Sequence, residues 1–156
     1  MNLITSIIGK EILDSRGNPT VLAEVEVDKK ITAQASVPSG ASTGSREAVE
    51  LRDGDLNRYK GKGGLKAIQN INSNISKNLL GIDVLKQDEI DQIMIDLDGT
   101  ENKKKLGANS MLAVSLANIR DYSSFVGKDL FEVIPEVYGE PKLPIPLMNI
   151  LNGGAH

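Results

Sequence analysis

The chain has 156 residues, of which 25% are charged and 40% hydrophobic, and its formal net charge at pH 7 is −3. A chain of this length can bury a core of its own, while its slight acidity argues against a nucleic-acid partner, which normally requires a basic face. The absence of cysteine excludes disulfides and thiolate metal sites. No apolar run approaches the roughly 20 residues that span a bilayer, and the first ten residues lack a signal-peptide layout, so we expect a cytoplasmic protein.

The first third of the sequence predicts three β-strands. Residues 3–13 are rich in isoleucine and end at a dense cluster of turn formers in residues 14–19. Apolar residues then occupy every second position of residues 21–27, which is the period of a half-buried strand. A third strand is expected over residues 31–37, where Pro38 ends it. The connections are too short for parallel crossovers, so we expect an antiparallel meander.

Most of the remaining chain predicts helices. Apolar residues recur at helical spacing in residues 65–79, 90–97 and 108–126, and a glycine follows each segment as a C-terminal cap. A further helix of about nine residues is expected to begin after Asp129, and a short one is expected over residues 47–52. Strands followed by helices indicate the α+β class.

The last segment departs from this pattern. Residues 143–151 form an extended apolar run, which a glycine-rich turn follows as far as His156. Such a run is typical of a strand in a buried parallel sheet. We therefore expect one domain over residues 1–142 and the first strand and turn of a truncated second domain over residues 143–156. Without neighbouring strands, this tail should hang away from the domain or pair with another chain.

The loop over residues 38–47 is the most informative candidate for chemistry. Its glycines permit close backbone approach to a ligand, and its hydroxyl groups supply oxygen ligands or donors, although an ordinary capped turn would have the same composition. Residues 40–44 also read G-x-S-x-G, the pattern of a hydrolase nucleophile elbow. That alternative requires a parallel sheet and an activating histidine, whereas the preceding strands are predicted to be antiparallel and the single histidine is His156.

Three other features have structural interpretations. Asp96 and Asp98 lie two residues apart and do not share a helix face, so we interpret them as structural and not as a metal pair. Lys103 to Lys105 are typical of a solvated loop. His156 follows an apolar run and two glycines, the place where α/β barrels carry functional groups, although a lone histidine is usually structural.

Taken together and in order, the segments of this chain resemble the enolases over residues 3–156. The residues that carry the resemblance are Asp14-Ser15-Arg16-Gly17-Asn18-Pro19-Thr20, Pro38-Ser39-Gly40-Ala41-Ser42-Thr43-Gly44, Glu50-Leu51-Arg52-Asp53-Gly54-Asp55, Asp96-Leu97-Asp98-Gly99-Thr100-Glu101-Asn102-Lys103, Leu106-Gly107-Ala108-Asn109, Leu112-Ala113-Val114-Ser115-Leu116-Ala117 and Met148-Asn149-Ile150-Leu151-Asn152-Gly153-Gly154. Each segment alone is weak evidence, but the ordered set is specific.

The resemblance implies a lid-like domain of three strands and a helical bundle, followed by the start of an α/β barrel. It also implies the reversible dehydration of 2-phosphoglycerate to phosphoenolpyruvate with Mg²⁺, in which Ser42 is a metal ligand. Gly40 and Ala41 would lie over the substrate and His156 would contact it. The family's base, acid and main metal ligands correspond to no residue here, so no catalytic residue is assigned and the chain alone is expected to be inactive.

The resemblance further implies a homodimer or a higher homo-oligomer, with the cell surface as a second location in the family. The expectation of no nucleic-acid partner and no membrane span comes from the charge and hydropathy given above. Leu22 stands where family members commonly have a glutamate that pairs with the partner subunit. The usually alanine-rich end of the long helix contains polar residues over 118–125. A stand-alone binding or oligomerisation module with the same fold, without catalysis, is the alternative function.

Overall fold

The computed structural model describes residues 2–39, 44, 47–134 and 142–151. The chain begins with a three-stranded antiparallel sheet in which each strand pairs with the next along the sequence. The strands are β1 (Ile4–Leu13), β2 (Pro19–Val27) and β3 (Ile31–Val37). The predicted meander is therefore confirmed, and so is the α+β class, because helices follow the sheet.

The alternation of residues along β2 gives the sheet a buried face and a solvent-facing one. The four apolar residues at odd positions from Val21 to Val27 are all at most 1% exposed, whereas Leu22 and Glu24 between them are half-buried. The strand begins two residues earlier than the apolar pattern predicts. Pro19 pairs with Leu13, which a proline can do at the first position of a strand.

The three helical segments predicted over residues 65–79, 90–97 and 108–126 are confirmed at close to their predicted bounds, and a short 3₁₀ turn (Tyr59–Gly61) precedes them. The helices are α1 (Leu65–Gln69), a π-helical turn (Asn70–Ile75), α2 (Ser76–Leu79), α3 (Gln87–Asp98), α4 (Ala108–Val126) and α5 (Leu130–Val133). Gly99 and Gly127 end α3 and α4 in the left-handed conformation, with φ of 64° and 66°. Glycine adopts this conformation without the steric cost that a Cβ brings.

Helix α4 lies across the buried face of the sheet and packs against β2 and β3, with α3 and α5 beside it. Its apolar side chains complete one core with the sheet and the preceding helices. The largest fully buried members of that core are Ile4, Ile71, Ile75, Leu79, Ile90, Met94, Leu106, Val21, Val25 and Val114. Burial of each such side chain contributes about 1.5–3 kcal/mol, so this layer supplies most of the driving force for folding.

The π-helical turn joins the helices to the edge of the sheet. The Asn72 side chain accepts a hydrogen bond from the Gly9 N–H at 2.7 Å and donates one to the Gly9 carbonyl at 3.2 Å. A Cβ on Gly9 would lie only 3.0 Å from the Cβ of Ile71, so the absence of a side chain allows this close approach. Ser73 donates to the Gln69 carbonyl, and such back-bonding commonly distorts a helix.

Residues 47–55 do not form the predicted helix, and that prediction is wrong. This segment is extended, because its backbone groups bond to the loop before α4 and to the first turn of that helix. The Val49 N–H donates to the Asn102 carbonyl at 2.7 Å, and the Ala108 N–H donates to the Val49 carbonyl at 2.8 Å. These partners lie more than 50 residues away in sequence, so local pattern could not reveal them.

The last predicted helix exists but is shorter than nine residues. Asp129 and Glu132 form a capping box at its start, and the Asp129 N–H donates to the Glu132 carboxylate at 2.8 Å. The helix ends at Val133, because Ile134 is extended with ψ of 125°. Residue 135 is a proline, and the residue before a proline avoids helical conformation.

Residues 142–151 have no regular secondary structure. Leu143, Leu147 and Leu151 are 93–99% exposed. The backbone of a strand needs a neighbouring strand for its hydrogen bonds, and within the described residues the three strands of the sheet pair only with one another. The assignment of this segment to a barrel strand, and the domain boundary at residue 142, remain predictions.

Candidate functional site

The loop after β3 carries the predicted site, and the structure describes its two ends. Gly40, Ala41 and Ser42 lie outside the described residues, and so does His156. Pro38 and Ser39 continue from β3, and the chain is described again at Gly44 and from Glu47 onwards. The candidate site is therefore defined by the groups that hold these two ends.

Ser39 is held by two side chains from the extended segment that follows the loop. Its hydroxyl donates to the Glu50 carboxylate at 2.8 Å, and it accepts a hydrogen bond from the Arg52 guanidinium. The same guanidinium donates to the Glu50 carboxylate at 2.6 Å, which closes an ion pair. The three groups form a closed triangle in which each is bonded to the other two.

The Arg52 guanidinium also connects this triangle to two other parts of the domain. It donates to the Pro19 carbonyl at the start of β2 and to the Lys62 carbonyl, each at 2.6 Å. Its side chain is 21% exposed, and the bond to Pro19 is partly buried whereas the bond to Lys62 is exposed. A guanidinium can serve four acceptors in fixed directions, which an ammonium on a flexible stem cannot do equally well.

The segment that contains Glu50 and Arg52 is itself fixed to α4. The Leu51 N–H donates to the Asn109 side-chain carbonyl, and the Asn109 amide donates to the Leu51 carbonyl, both at 3.1 Å. Gly107 precedes α4 with φ of 92°, and a Cβ there would lie 2.5 Å from the Cβ of Leu51. The position of the triangle therefore depends on close packing at the start of α4.

A cleft of about 440 Å³ lies between the ends of the loop and the first turns of α4. Its polar wall includes Ser39, Glu47 and Asn109, and its apolar wall includes Val37 and Leu112. Clefts of this size, with an apolar wall and a few polar groups, are the usual form of small-molecule sites.

A second cleft, of about 320 Å³, lies on the other side of Ser39 and is strongly polar. Its wall includes Asp14, Arg16 and Lys62 together with the Arg52 triangle. The Asp14 carboxylate accepts the N–H groups of Asn18 and Arg16, each at 2.8 Å. These bonds lower the pKa of Asp14 against the opposing effect of burial, so the turn before β2 is organised around an ionised carboxylate.

A second arginine organises the segment after Arg52. Arg58 bonds both oxygens of Glu11, and Glu11 also accepts the Gly64 N–H at 2.7 Å. The hydrogen bond from Arg58 lowers the pKa of Glu11, with burial acting in the opposite direction. Asp53 accepts the N–H groups of Leu65 and Lys66 at the start of α1. This network holds residues 53–66 but contacts neither Ser39 nor Glu50.

Asp98 has the structural role that the sequence predicts. It is 2% exposed and accepts the N–H groups of Leu106 at 2.7 Å and Thr100 at 3.0 Å. Burial alone would raise the pKa of Asp98, but these backbone bonds outweigh it and lower the pKa. Asp98 therefore shapes the loop that presents the Asn102 carbonyl to Val49.

The described residues test two alternatives for the loop's chemistry. Within residues 2–39, 44, 47–134 and 142–151, no group of three or more histidines, aspartates or glutamates could hold a metal ion. The strands that lead to the loop are antiparallel, which removes the parallel strand–turn–helix setting that a hydrolase elbow requires.

Leu22 lies on the outer face of the sheet, between buried residues of β2. Leu22 lies opposite Lys10 on β1 and Ser36 on β3. The Lys10 ammonium pairs with the Glu24 carboxylate at 3.0 Å, so its charge is already engaged within the domain. None of the described helices is long and apolar enough to cross a membrane.

The order of the elements thus agrees with the fold that the motifs indicate. A family model described as the N-terminal domain of enolase matches residues 4–134. This match covers the sheet and all the helices from α1 to α5. The chain therefore belongs to the enolase N-terminal domain family.

Proposed function

We propose that this chain is the N-terminal part of an enzyme that reversibly dehydrates 2-phosphoglycerate to phosphoenolpyruvate in glycolysis. The family match over residues 4–134 carries the proposal. The geometry supports it, because the loop with the enolase-like motif leaves β3 next to a cleft. The two flanks of that loop are bonded to each other, and the second flank is bonded to β2 and to α4. The reaction removes the α-proton and then the hydroxide of the substrate, so water is the second product.

Within this proposal, the loop residues bind and enclose the substrate. Gly40 and Ala41 lie over it and exclude water, and His156 contacts it near its phosphate. The Ser42 hydroxyl is a hard oxygen donor, which suits Mg²⁺. When bound, Mg²⁺ supplies positive charge that offsets the negative charge developing on the substrate. These roles come from the sequence motifs, and the proton-transfer groups and main metal ligands come from residues outside this sequence.

The proposal extends to assembly and location. We propose a homodimer or a higher homo-oligomer in the cytoplasm, with the cell surface as a second location. Leu22 removes the glutamate that commonly pairs across the family's dimer, and Lys10 is engaged by Glu24. Subunit contact at this place would therefore depend on apolar packing by Leu22 and not on an ion pair.

The test compares the full-length gene product with the 156-residue chain, each purified free of host enolase. Formation of phosphoenolpyruvate from 2-phosphoglycerate is followed by ultraviolet absorbance in the presence of Mg²⁺. Turnover by the full-length protein and none by the 156-residue chain is the expected result. A gene that encodes no barrel, or a full-length protein without turnover, would favour the non-catalytic binding module.

A further inference from the structure

We propose that Arg52 is a positioning residue for the proposed dehydration, and that it acts through Ser39 and Glu50. This inference rests on the proposed function, because it assigns Arg52 a part in that reaction. Arg52 has no place in the substrate contacts proposed above. Its role would be to fix the point at which the chain leaves β3 for the loop that carries the binding residues.

The first argument is the number of elements that meet at this one side chain. The guanidinium bonds the Pro19 carbonyl, the Lys62 carbonyl, the Ser39 hydroxyl and the Glu50 carboxylate. Pro19 is anchored by its pairing with β1, so the guanidinium has a rigid support on one side. Two of its other acceptors, Ser39 and Glu50, belong to the two flanks of the loop.

The second argument is that nothing else among the bonds of the described residues holds the Ser39 side chain. Among the described residues, its hydroxyl bonds Glu50 and Arg52 alone, and the Glu50 side chain in turn bonds Ser39 and Arg52 alone. Removal of the guanidinium therefore leaves Ser39 and Glu50 with a single bond to each other. The carboxylate would also lose its countercharge in a half-buried place.

The third argument is that a charge alone is not sufficient at this position. A lysine supplies one compact ammonium, whereas the four acceptors here lie around a planar fork. Arg52→Lys would keep the positive charge but lose some of these four hydrogen bonds. A displacement of about 1 Å in a group that positions a reacting site can reduce the rate by about 10²-fold.

Arg58 provides a matched control in the same segment of chain. It is also an arginine that forms ion pairs, with Glu11 and Asp53, and its side chain is 31% exposed against 21% for Arg52. Its bonds reach neither flank of the loop. Arg58→Lys therefore reports the cost of a weakened arginine clamp without the contact to Ser39.

The experiment uses the full-length protein with Arg52→Lys, Arg58→Lys, Ser39→Ala and the Arg52→Lys/Ser39→Ala double variant. The readouts are kcat and KM for 2-phosphoglycerate, the thermal midpoint, and amide hydrogen exchange of peptides covering residues 36–39 and 47–52. We expect Arg52→Lys to lower kcat by about 10–100-fold, by analogy with losses at supporting residues of active sites, and to speed exchange in both peptides. Arg58→Lys should shift only the thermal midpoint.

The double variant tests the path through Ser39. If Arg52 acts through that hydroxyl, the double variant should lose no more than the worse single variant. Equal effects of Arg52→Lys and Arg58→Lys on kcat, or losses that multiply in the double variant, would overturn the positioning role while leaving the proposed function intact. An inactive wild-type full-length protein would instead overturn the proposed function, and the positioning role with it.

Discussion

Asn109 bonds the backbone of Leu51 as a neighbouring strand would, accepting from its N–H and donating to its carbonyl. Both distances are 3.1 Å, and Asn109 is 4% exposed. Because the backbone of Leu51 bonds to the first turn of α4, residues 47–52 do not form the helix that the sequence predicts there. The extended segment carries Glu50 and Arg52 towards Ser39 as a consequence.

Asn109→Ala should destabilise the domain by about 1–3 kcal/mol, because the Leu51 N–H and carbonyl lose their partners in a largely buried place. Asn109→Asp should cost a similar amount, since a carboxylate can accept from the N–H but cannot donate to the carbonyl. Urea unfolding of the 156-residue chain measures both. Ser124→Ala, at an exposed position of the same helix, serves as the control, and equal midpoints for all three variants would contradict the prediction.

Gly107→Ala should be more destabilising than Gly127→Ala, although both glycines have positive φ. At Gly127 an added Cβ meets nothing within 4 Å, so only the conformational cost of about 1 kcal/mol remains. At Gly107 the Cβ would lie 2.5 Å from Leu51 and 2.6 Å from the Asn109 side chain. We expect a total cost of about 3 kcal/mol or more there, and comparable thermal midpoints for the two variants would refute this.

Asp121→Asn should stabilise the domain at pH 8 but not at pH 4. Asp121 is fully buried, and neither carboxylate oxygen has a hydrogen-bond partner within the described residues. Burial raises the pKa of Asp121 from 3.8 to about 7, and an interaction with the Ala33 backbone, which falls short of regular hydrogen-bond geometry, acts in the opposite direction. The native state therefore holds a proton that the unfolded state releases, and stability falls as pH rises from about 4 through 7.

The measurement for Asp121 is the free energy of unfolding at several pH values for the wild type and the variant. We expect the variant to gain about 1–3 kcal/mol relative to the wild type between pH 4 and pH 8, the typical cost of an unsatisfied buried polar group. Asp96→Asn, at an exposed position of α3, corrects for the change in net charge. A difference that does not vary with pH would show that the carboxylate finds a partner when ionised.

Glu11→Gln should show the opposite pH dependence. The hydrogen bond from Arg58 lowers the pKa of Glu11 below its ordinary value of 4.5, with burial opposing it. The ionised carboxylate therefore stabilises the native state above pH 4.5, and this contribution disappears as pH falls through the lowered pKa. We expect the variant to lose about 1.5–3 kcal/mol at pH 7, as for hydrogen bonds to charged groups, and less at pH 3. A constant loss at both pH values would count against the ion pair.

Ser42→Ala in the full-length protein should weaken the response to Mg²⁺ without altering the fold. The loss of one positioned oxygen ligand should cost about 10–100-fold in activity or metal affinity. Ser45→Ala, in the same loop but outside the motif position proposed as the ligand, is the control. An unchanged Mg²⁺ dependence in Ser42→Ala would contradict the proposed role.

The regular elements were predictable because their patterns are local. The period of two in β2 and the helical spacing in α3 and α4 reflect burial of one face, and the glycines after those helices reflect a left-handed cap. The length of α5 was not predictable from periodicity. It depends on the restriction that Pro135 places on Ile134, which overrides the apolar pattern.

The candidate site was predictable only in part. The enolase-like motif identified the loop and the residues Gly40, Ala41, Ser42 and His156, and their roles remain predictions. The bonds that Arg52 makes could not be predicted, because its acceptors Pro19, Ser39 and Lys62 are far from one another in sequence. A sequence does not distinguish an exposed arginine from one whose guanidinium donates to four acceptors.

The π-helical turn over Asn70–Ile75 makes this helix tolerant of one change in length. A π turn holds one residue more than an α-helical turn, since each bond spans five residues instead of four. Deletion of one residue from this turn would leave an ordinary α-helical turn and keep Leu79 facing the core, whereas a deletion within α4 would rotate everything after it by about 100°. The cost would fall on the turn itself, because Asn72 bonds both backbone groups of Gly9 there. Loss of one residue here should therefore be accommodated more readily than loss of one residue from the longer helices.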